Sequence, residues 1–285
     1  MLHHWKLILG SLLVAVALPE AATAQTPELG WSWSAQLTAV WSGGNSESST
    51  FGLGSTLRRI GERNELKLEA GGIRSDASVK TRRAVGTAAS HTVEETEESR
   101  KTAESYSVRG RYGRTIGNGF LFFTGADWSR NTFAGVDGRT LLAAGLGRLW
   151  AERDDFRFKT DLAATYSFTE DVVENPFVKS SFPGVRFSWD LMRTLTSTTK
   201  WESTLIADMN IDETDDVRVD VANAVSVTVS SRVALKPGLQ LFWRNQPALT
   251  EVNLFTPAGA PTGQGVLVPL EKLDTLFTLA LVVTL

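Results

Sequence analysis

Lys272-Leu273-Asp274-Thr275-Leu276-Phe277-Thr278-Leu279-Ala280-Leu281-Val282-Val283-Thr284-Leu285, the last stretch of the chain, decides the fold. In an extended strand Leu273, Thr275, Phe277, Leu279, Leu281, Val283 and Leu285 share one face. Lys272, Asp274, Leu276, Thr278, Ala280, Val282 and Thr284 share the other. A strand that is apolar on its final alternate positions and ends flush with the chain is how transmembrane barrels close. A soluble sheet can hold one such strand, so the weight falls on what lies upstream.

Working outward, the alternation predicts twelve strands, at 31–42, 48–59, 64–74, 103–114, 119–130, 139–150, 155–168, 181–192, 198–209, 216–229, 231–244 and 272–285. The gaps alternate in length. Short ones fall around Ile60-Gly61-Glu62-Arg63, Thr115 to Asn118, Ala151 to Asp154, Arg193 to Ser197, and at Ser230. Those at 75–102, 131–138, 169–180 and 245–271 are longer, and those at 43–47 and 210–215 are moderate. Short turns at one end, longer loops at the other and an even strand count are the topology of an outer-membrane barrel. A sandwich has no reason to alternate this way. The first strand places Trp31, Trp33, Ala35, Leu37, Ala39 and Trp41 on one face, and from Trp31 to Trp41 it rises roughly 25 Å at a 40° tilt. In 155–168, Phe156, Phe158, Leu162, Ala164, Tyr166 and Phe168 oppose Arg157, Lys159, Asp161 and Thr165. The segment 139–150 is weaker, with Leu and Ala on both faces. Val217, Val219, Val221, Val225, Val227 and Val229 form an outward set interrupted by Asn223, which marks either a subunit contact or a register irregularity.

The start of the chain supplies the route. Lys6, the apolar run Leu7 to Leu18 and the small residues Ala22-Thr23-Ala24 read as a signal peptide over 1–24, too short to span a bilayer as a helix. No later stretch reaches ~18 consecutive apolar residues, so a membrane-resident chain has to satisfy its backbone groups as a closed barrel. Residues 25–285 then form a single barrel domain with long outer loops near 75–102 and 245–271. The absence of cysteine removes disulfides and a lipidated N-terminal cysteine. A net charge of −3 argues against nucleic acid as a partner.

The inward face of these strands carries far more charge than a dry core tolerates. It includes Glu65, Lys67, Glu69, Arg109, Arg111, Asp127, Arg157, Lys159, Asp161, Arg186, Asp190, Lys200, Glu202, Asp208, Arg218, Asp220, Arg232, Lys236 and Arg244. Buried ions without partners or water cost several kcal/mol each, so the lumen is wet, cross-paired, or both. Cations outnumber acids in this set, which predicts a weak anion preference if the lumen conducts.

Trp41-Ser42-Gly43-Gly44-Asn45-Ser46-Glu47-Ser48-Ser49-Thr50, Asn131 to Arg139 followed by Ala144-Gly145-Leu146-Gly147, and Asp274-Thr275 through Leu285 occur in an order that resembles one known family. This is the salt-induced outer-membrane protein family, numbered 481 among domains of unknown function. The resemblance covers most of the chain beyond the signal peptide and implies an outer-membrane barrel without catalytic residues. The family's closing strand ends in an aromatic residue, whereas this chain ends in Leu285.

Other motifs read blandly. His91, in the longest polar loop, lacks the rigid support a catalytic base needs. Asp212-Glu213-Thr214-Asp215-Asp216 lacks the Gly and terminal Glu of a calcium loop and reads as a solvated acidic tip, as does Glu94-Glu95-Thr96-Glu97-Glu98. Gly145-Leu146-Gly147 opens no helix and reads as close strand packing. The expectation is a non-enzymatic barrel with no cofactor and no metal site, located in the bacterial outer membrane. It contacts lipid and lipopolysaccharide, meets the barrel insertion machinery through its last strand, and leaves a homo-oligomer open. Two functions fit: a narrow, weakly selective channel for small polar solutes or ions, or a non-conducting, stress-related envelope barrel with a salt-bridged lumen.

Overall fold

The computed structural model of the chain describes residues 29–42, 46–87, 90–175 and 178–284. The expected signal peptide at 1–24, the Gly43-Gly44-Asn45 turn and Leu285 lie outside the described residues. Fourteen strands follow in order. They are β1 (Gly30–Ser42), β2 (Ser46–Ile60), β3 (Asn64–Thr87), β4 (Ser90–Gly117), β5 (Phe120–Asn131), β6 (Val136–Glu152) and β7 (Phe156–Asp171). After them come β8 (Ser181–Thr194), β9 (Thr199–Asn210), β10 (Val217–Ser230), β11 (Val233–Arg244), β12 (Leu249–Phe255), β13 (Pro261–Pro269) and β14 (Leu273–Thr284). All but β12 and β13 close into one barrel in the order β1-β14-β11-β10-β9-β8-β7-β6-β5-β4-β3-β2, every pair antiparallel. The barrel therefore has the twelve strands that the alternation predicts. The seam runs from Ser34 opposite Thr284 to Thr38 opposite Ala280.

One end of the barrel is tight. β4 and β5 are joined by Asn118-Gly119, with φ of 51° and 75°, the left-handed pair that a two-residue hairpin turn demands. The other end carries everything long. Here two expectations need correction. The segment 75–102 is not an unstructured loop: β3 and β4 run on and pair to Thr87 opposite Ser90. In backbone register Lys80, Arg82 and Arg83 stand opposite Glu97, Glu95 and Glu94, a stretch whose sequence lacks apolar alternation. The acidic run 94–98 thus lies in β4. The segment 245–271 likewise contains β12 and β13, a separate two-stranded sheet.

The barrel is inside out relative to a soluble one. In β7, Lys159, Asp161, Ala163, Thr165 and Ser167 are all buried, while Leu162 between them is 59 % exposed. In β14, Ala280 is buried and Phe277 is 70 % exposed. Such an exterior is stable only in an apolar solvent. At the tight end, outward arginines lie over aromatic rings: Arg59 at 5.5 Å from Trp31, and Arg148 at 4.3 Å from Trp150 and 4.9 Å from Phe120. Amphipathic pairs of this kind suit a membrane–water boundary.

The two faces of β6 are both apolar for a reason. Leu141 and Ala143 point inward and pack with Phe123 and Ala163, while Leu142 and Leu146 point outward. Asn223 sits in regular register, opposite Leu239 on one side and Ser203 on the other. The register shift in β10 comes later, between Thr228 and Ser230, so an irregularity at Asn223 is overturned.

Candidate functional site

The lumen collects the charged residues into four clusters. At mid-barrel, Arg186 on β8 donates from Nε and Nη2 to Asp208 on β9 at 2.6 and 3.0 Å, and from Nη1 to Asp127 on β5. Arg139 on β6 donates to the same Asp208 at 3.1 Å, and Arg109 lies 3.3 Å from Asp127. A second cluster joins Arg111 on β4 and Lys159 on β7 to Asp161, at 3.1 and 3.3 Å. Asp190 stands opposite Lys159 in register.

The third cluster lies toward the long-loop end. Arg218 forks onto Asp216 at 3.2 and 3.0 Å, and Arg244 lies 3.6 Å from Asp171 and 3.8 Å from Asp216. The fourth, at the tight end, pairs Arg58 with Glu65 at 2.7 Å, with Arg157 3.9 Å from Glu65 and 3.8 Å from Glu152. Lys67 pairs with Glu69 at 2.8 Å on β3, Lys236 reaches Glu202 across β10, and Gln240 donates to Asp220 at 2.8 Å. Lys200 occupies an inward position of β9 and is exposed.

Five of these ion pairs cross the lumen: Arg157 on β7 to Glu65 on β3 and Arg244 on β11 to Asp171 on β7 each skip three intervening strands. Arg111–Asp161, Arg186–Asp127 and Arg139–Asp208 each skip two intervening strands. Three strand spacings amount to ~14 Å of wall, so β4–β9 must curve tightly for the side chains to meet. The Phe123–Leu141–Ala163 cluster fills the same half, with the Arg111 guanidinium 4.0 Å from the Phe123 ring centre. The opposite wall presents small residues, among them Thr38, Gly52, Ala224 and Gly238, interspersed with Asp220 and Lys236, and a cavity of about 580 Å³ lies between it and the Asp127–Arg186–Asp208 cluster. The lumen is therefore packed on one side and vacant on the other.

Some sequence expectations change here. Arg232 is in the β10–β11 turn and exposed, off the lumen wall, because β11 starts at Val233, two residues later than the alternation suggests. Asp216 is not part of a solvated tip: it is 2 % exposed and held by Arg218. Asp212 stays at the surface, where it holds the Lys179 ammonium above its ordinary pKa through a 2.9 Å hydrogen bond. Arg58, Arg139, Glu152 and Asp171 belong to the lumen and were missed. Glu152 escapes parity counting because of the register shift between Leu149 and Ala151. Arg139 and Asp171 lie at or beyond the ends of their predicted strands. With Arg232 removed and Arg58, Arg139, Asp216, Glu152 and Asp171 added, the cation excess behind the expected anion preference shrinks to a single charge. Gly147 and Gly145 face the packed half, where a Cβ would run into the Asp161 carboxylate and the Leu162 carbonyl respectively.

His91 stands in β4 opposite Gly86, and its side chain lies outside the described residues. Among the described residues, no group of three or more His, Cys, Asp or Glu is placed to hold a metal ion.

Apolar side chains outward, cross-paired ions inward and a residual polar cavity define a transmembrane β-barrel of porin-like build. The family model described as "Protein of unknown function, DUF481" matches residues 35–254, and the chain belongs to that family. Among solved structures it is similar to the NanC porin, at 9% identity over 89% of this chain and 100% of that one, with a TM-score of 0.42. It is similar also to the KdgM porin, at 8% identity over 90% and 99%, TM-score 0.39. An anion-selective porin from Comamonas acidovorans matches at 10% identity over 90% and 98%, TM-score 0.38. No curated protein matches the chain.

Proposed function

We propose that the protein is an outer-membrane barrel, exported behind a signal peptide at 1–24, that passes small polar solutes or ions through a narrow off-centre channel. One observation carries this reading: beside the ion pairs and apolar cluster of β4–β9 a cavity of about 580 Å³ remains, where glycine, alanine and threonine stand among the charged residues of the facing wall. A barrel filled for stability alone has no need of a vacant side. Near-balanced wall charge favours weak selectivity of either sign, since counter-ions gather only where fixed charges outnumber their partners. The test is single-channel conductance of the purified protein in a planar bilayer, wild type against Ala224→Trp. Conductance in wild type that falls in the variant is the expected result. Well-folded wild type without conductance would overturn it.

The second reading, a non-conducting structural barrel, is favoured by the five ion pairs that cross the lumen. It predicts no conductance in wild type and a leak once Arg186 is removed. Under either reading no cofactor enters, and the protein meets the lipid and lipopolysaccharide of its membrane.

A further inference from the structure

β3 and β4 outlast their neighbours. Pairing of β2 with β3 ends at Ser46 opposite Val79, and pairing of β4 with β5 ends at Ser105 opposite Asn131. Above those rungs no strand among the described residues pairs with either outer edge, and the two strands form an arm with two open edges. The β3 edge from Lys80 to Thr87 carries Lys80, Arg82 and Arg83 and no acid. The β4 edge at the same height, Ser90 to Glu97, carries Glu94, Glu95 and Glu97 and no lysine or arginine. The free length is roughly 25 Å at strand rise. Unpaired edges are templates for pairing, and charge on them decides which partner is accepted.

We infer that the arm is the contact surface for a second copy of this chain, the basic β3 edge of one molecule adding to the acidic β4 edge of the next. The membrane supplies the geometry. Copies in one bilayer share an orientation and differ only by rotation about the membrane normal, so all β3 edges run one way and all β4 edges the other. Contact of β3 with a second β3, or β4 with a second β4, would be parallel and would set like charges side by side. Contact of β3 with a second β4 is antiparallel. Because the copies stand at equal height, it repeats the arm's own register and brings Lys80, Arg82 and Arg83 level with Glu97, Glu95 and Glu94 of the neighbour. Each row of cations then has acids on both sides. The contact is head-to-tail, so assembly closes as a ring about the membrane normal. Backbone hydrogen bonds supply affinity and the charges supply specificity, as in other cases of strand addition.

A charge-reversed arm tests this. The variant Lys80→Glu, Arg82→Glu, Arg83→Glu, Glu94→Lys, Glu95→Lys, Glu97→Lys preserves every opposite-charge rung within its own arm. It is also still complementary to itself. Against the wild type, both head-to-tail contacts become like-charged. Differently tagged copies are co-expressed and captured from mild detergent, with heat-modifiable gel mobility confirming that each barrel is folded. The expected result is that wild type captures wild type, the reversed chain captures the reversed chain, and mixed capture is lost. Equal capture of wild type and reversed chain overturns the proposal, as does folded wild type that captures no second copy. Should the reversed chain fail to fold, deletion of 80–97 with a short Gly-Ser turn between Val79 and Glu98 leaves the barrel strands untouched. That shortened chain is expected to be monomeric, and self-capture by it overturns the inference equally.

Discussion

At the scale of single residues, Arg186 is the residue on which the packed half depends. It is the one side chain that holds Asp127 and Asp208 together, and all three are largely buried. Removing it leaves Asp208 with Arg139 alone and Asp127 with Arg109 alone, and breaking buried pairs of this kind costs up to about 3–5 kcal/mol. Arg186→Met is therefore expected to lower the denaturation midpoint in detergent sharply. The wider change Arg186→Met, Asp127→Asn, Asp208→Asn, Arg109→Gln, Arg139→Gln is expected to recover much of the loss, since it removes the cations paired with those aspartates as well. Equal destabilisation by the two variants would show that shape, not charge, holds this layer. Gly145 tests the same half by volume. Its missing Cβ leaves room for the Leu162 carbonyl, which belongs to backbone and cannot swing aside. Gly145→Val is expected to cost about 1–3 kcal/mol through overpacking, read as a shift in unfolding midpoint.

At the scale of elements, β14 and the β12–β13 hairpin make contrasting demands. β14 closes the barrel with Leu281 outward, 44 % exposed, and Thr278 inward beside Gly238. Leu281→Arg places a charge in hydrocarbon, at a cost of about 2–4 kcal/mol near the midplane and less toward either interface. Thr278→Arg reaches the polar cavity instead. Membrane-inserted yield is expected to fall for the first and hold for the second, and equal yields would refute the facing of this strand. The hairpin forms its own two-stranded sheet and joins no barrel ladder. Its base is different: Ala248 is 1 % exposed, and its carbonyl accepts a 2.9 Å hydrogen bond from the Leu270 amide. Deleting 249–269 and joining Ala248 to Leu270 by a short turn is expected to leave the barrel's melting temperature unchanged. A drop of several degrees would show that the hairpin braces the rim.

At the scale of the whole molecule, the lumen's asymmetry predicts that stability and conductance separate. Bulk added to the vacant side, as in Ala224→Trp, should reduce conductance and leave unfolding nearly unaltered, because the new ring enters space that borders the 580 Å³ cavity. Charge removed from the packed side away from the cavity, as in Arg111→Met, should reduce stability and leave the conductance of the surviving folded molecules close to wild type. Paired measurements on the two variants check this, and a variant that moves both quantities together would mean that the two halves are not independent.

The twelve barrel strands, their short turns and their outward faces were legible in the sequence, because in a membrane barrel every spanning strand meets lipid on one face and the lumen on the other. Leu162, Phe277 and Leu281 could be assigned from parity alone. Parity fails wherever lipid is absent or register slips. Above Val79 on β3 and Ser105 on β4 the two strands stand beyond their barrel neighbours, so they carry no apolar alternation and only pairing reveals them. Glu152 was hidden by a shift between Leu149 and Ala151, and Asp216 looked solvated until Arg218 folded over it. What the sequence alone determined is which residues face inward, since that depends on local alternation. What only the tertiary structure decided is which of them meet. Arg186 reaches Asp127 and Arg111 reaches Asp161 because two intervening strands bend the wall back on itself, and that curvature is a property of the closed barrel rather than of any strand in it.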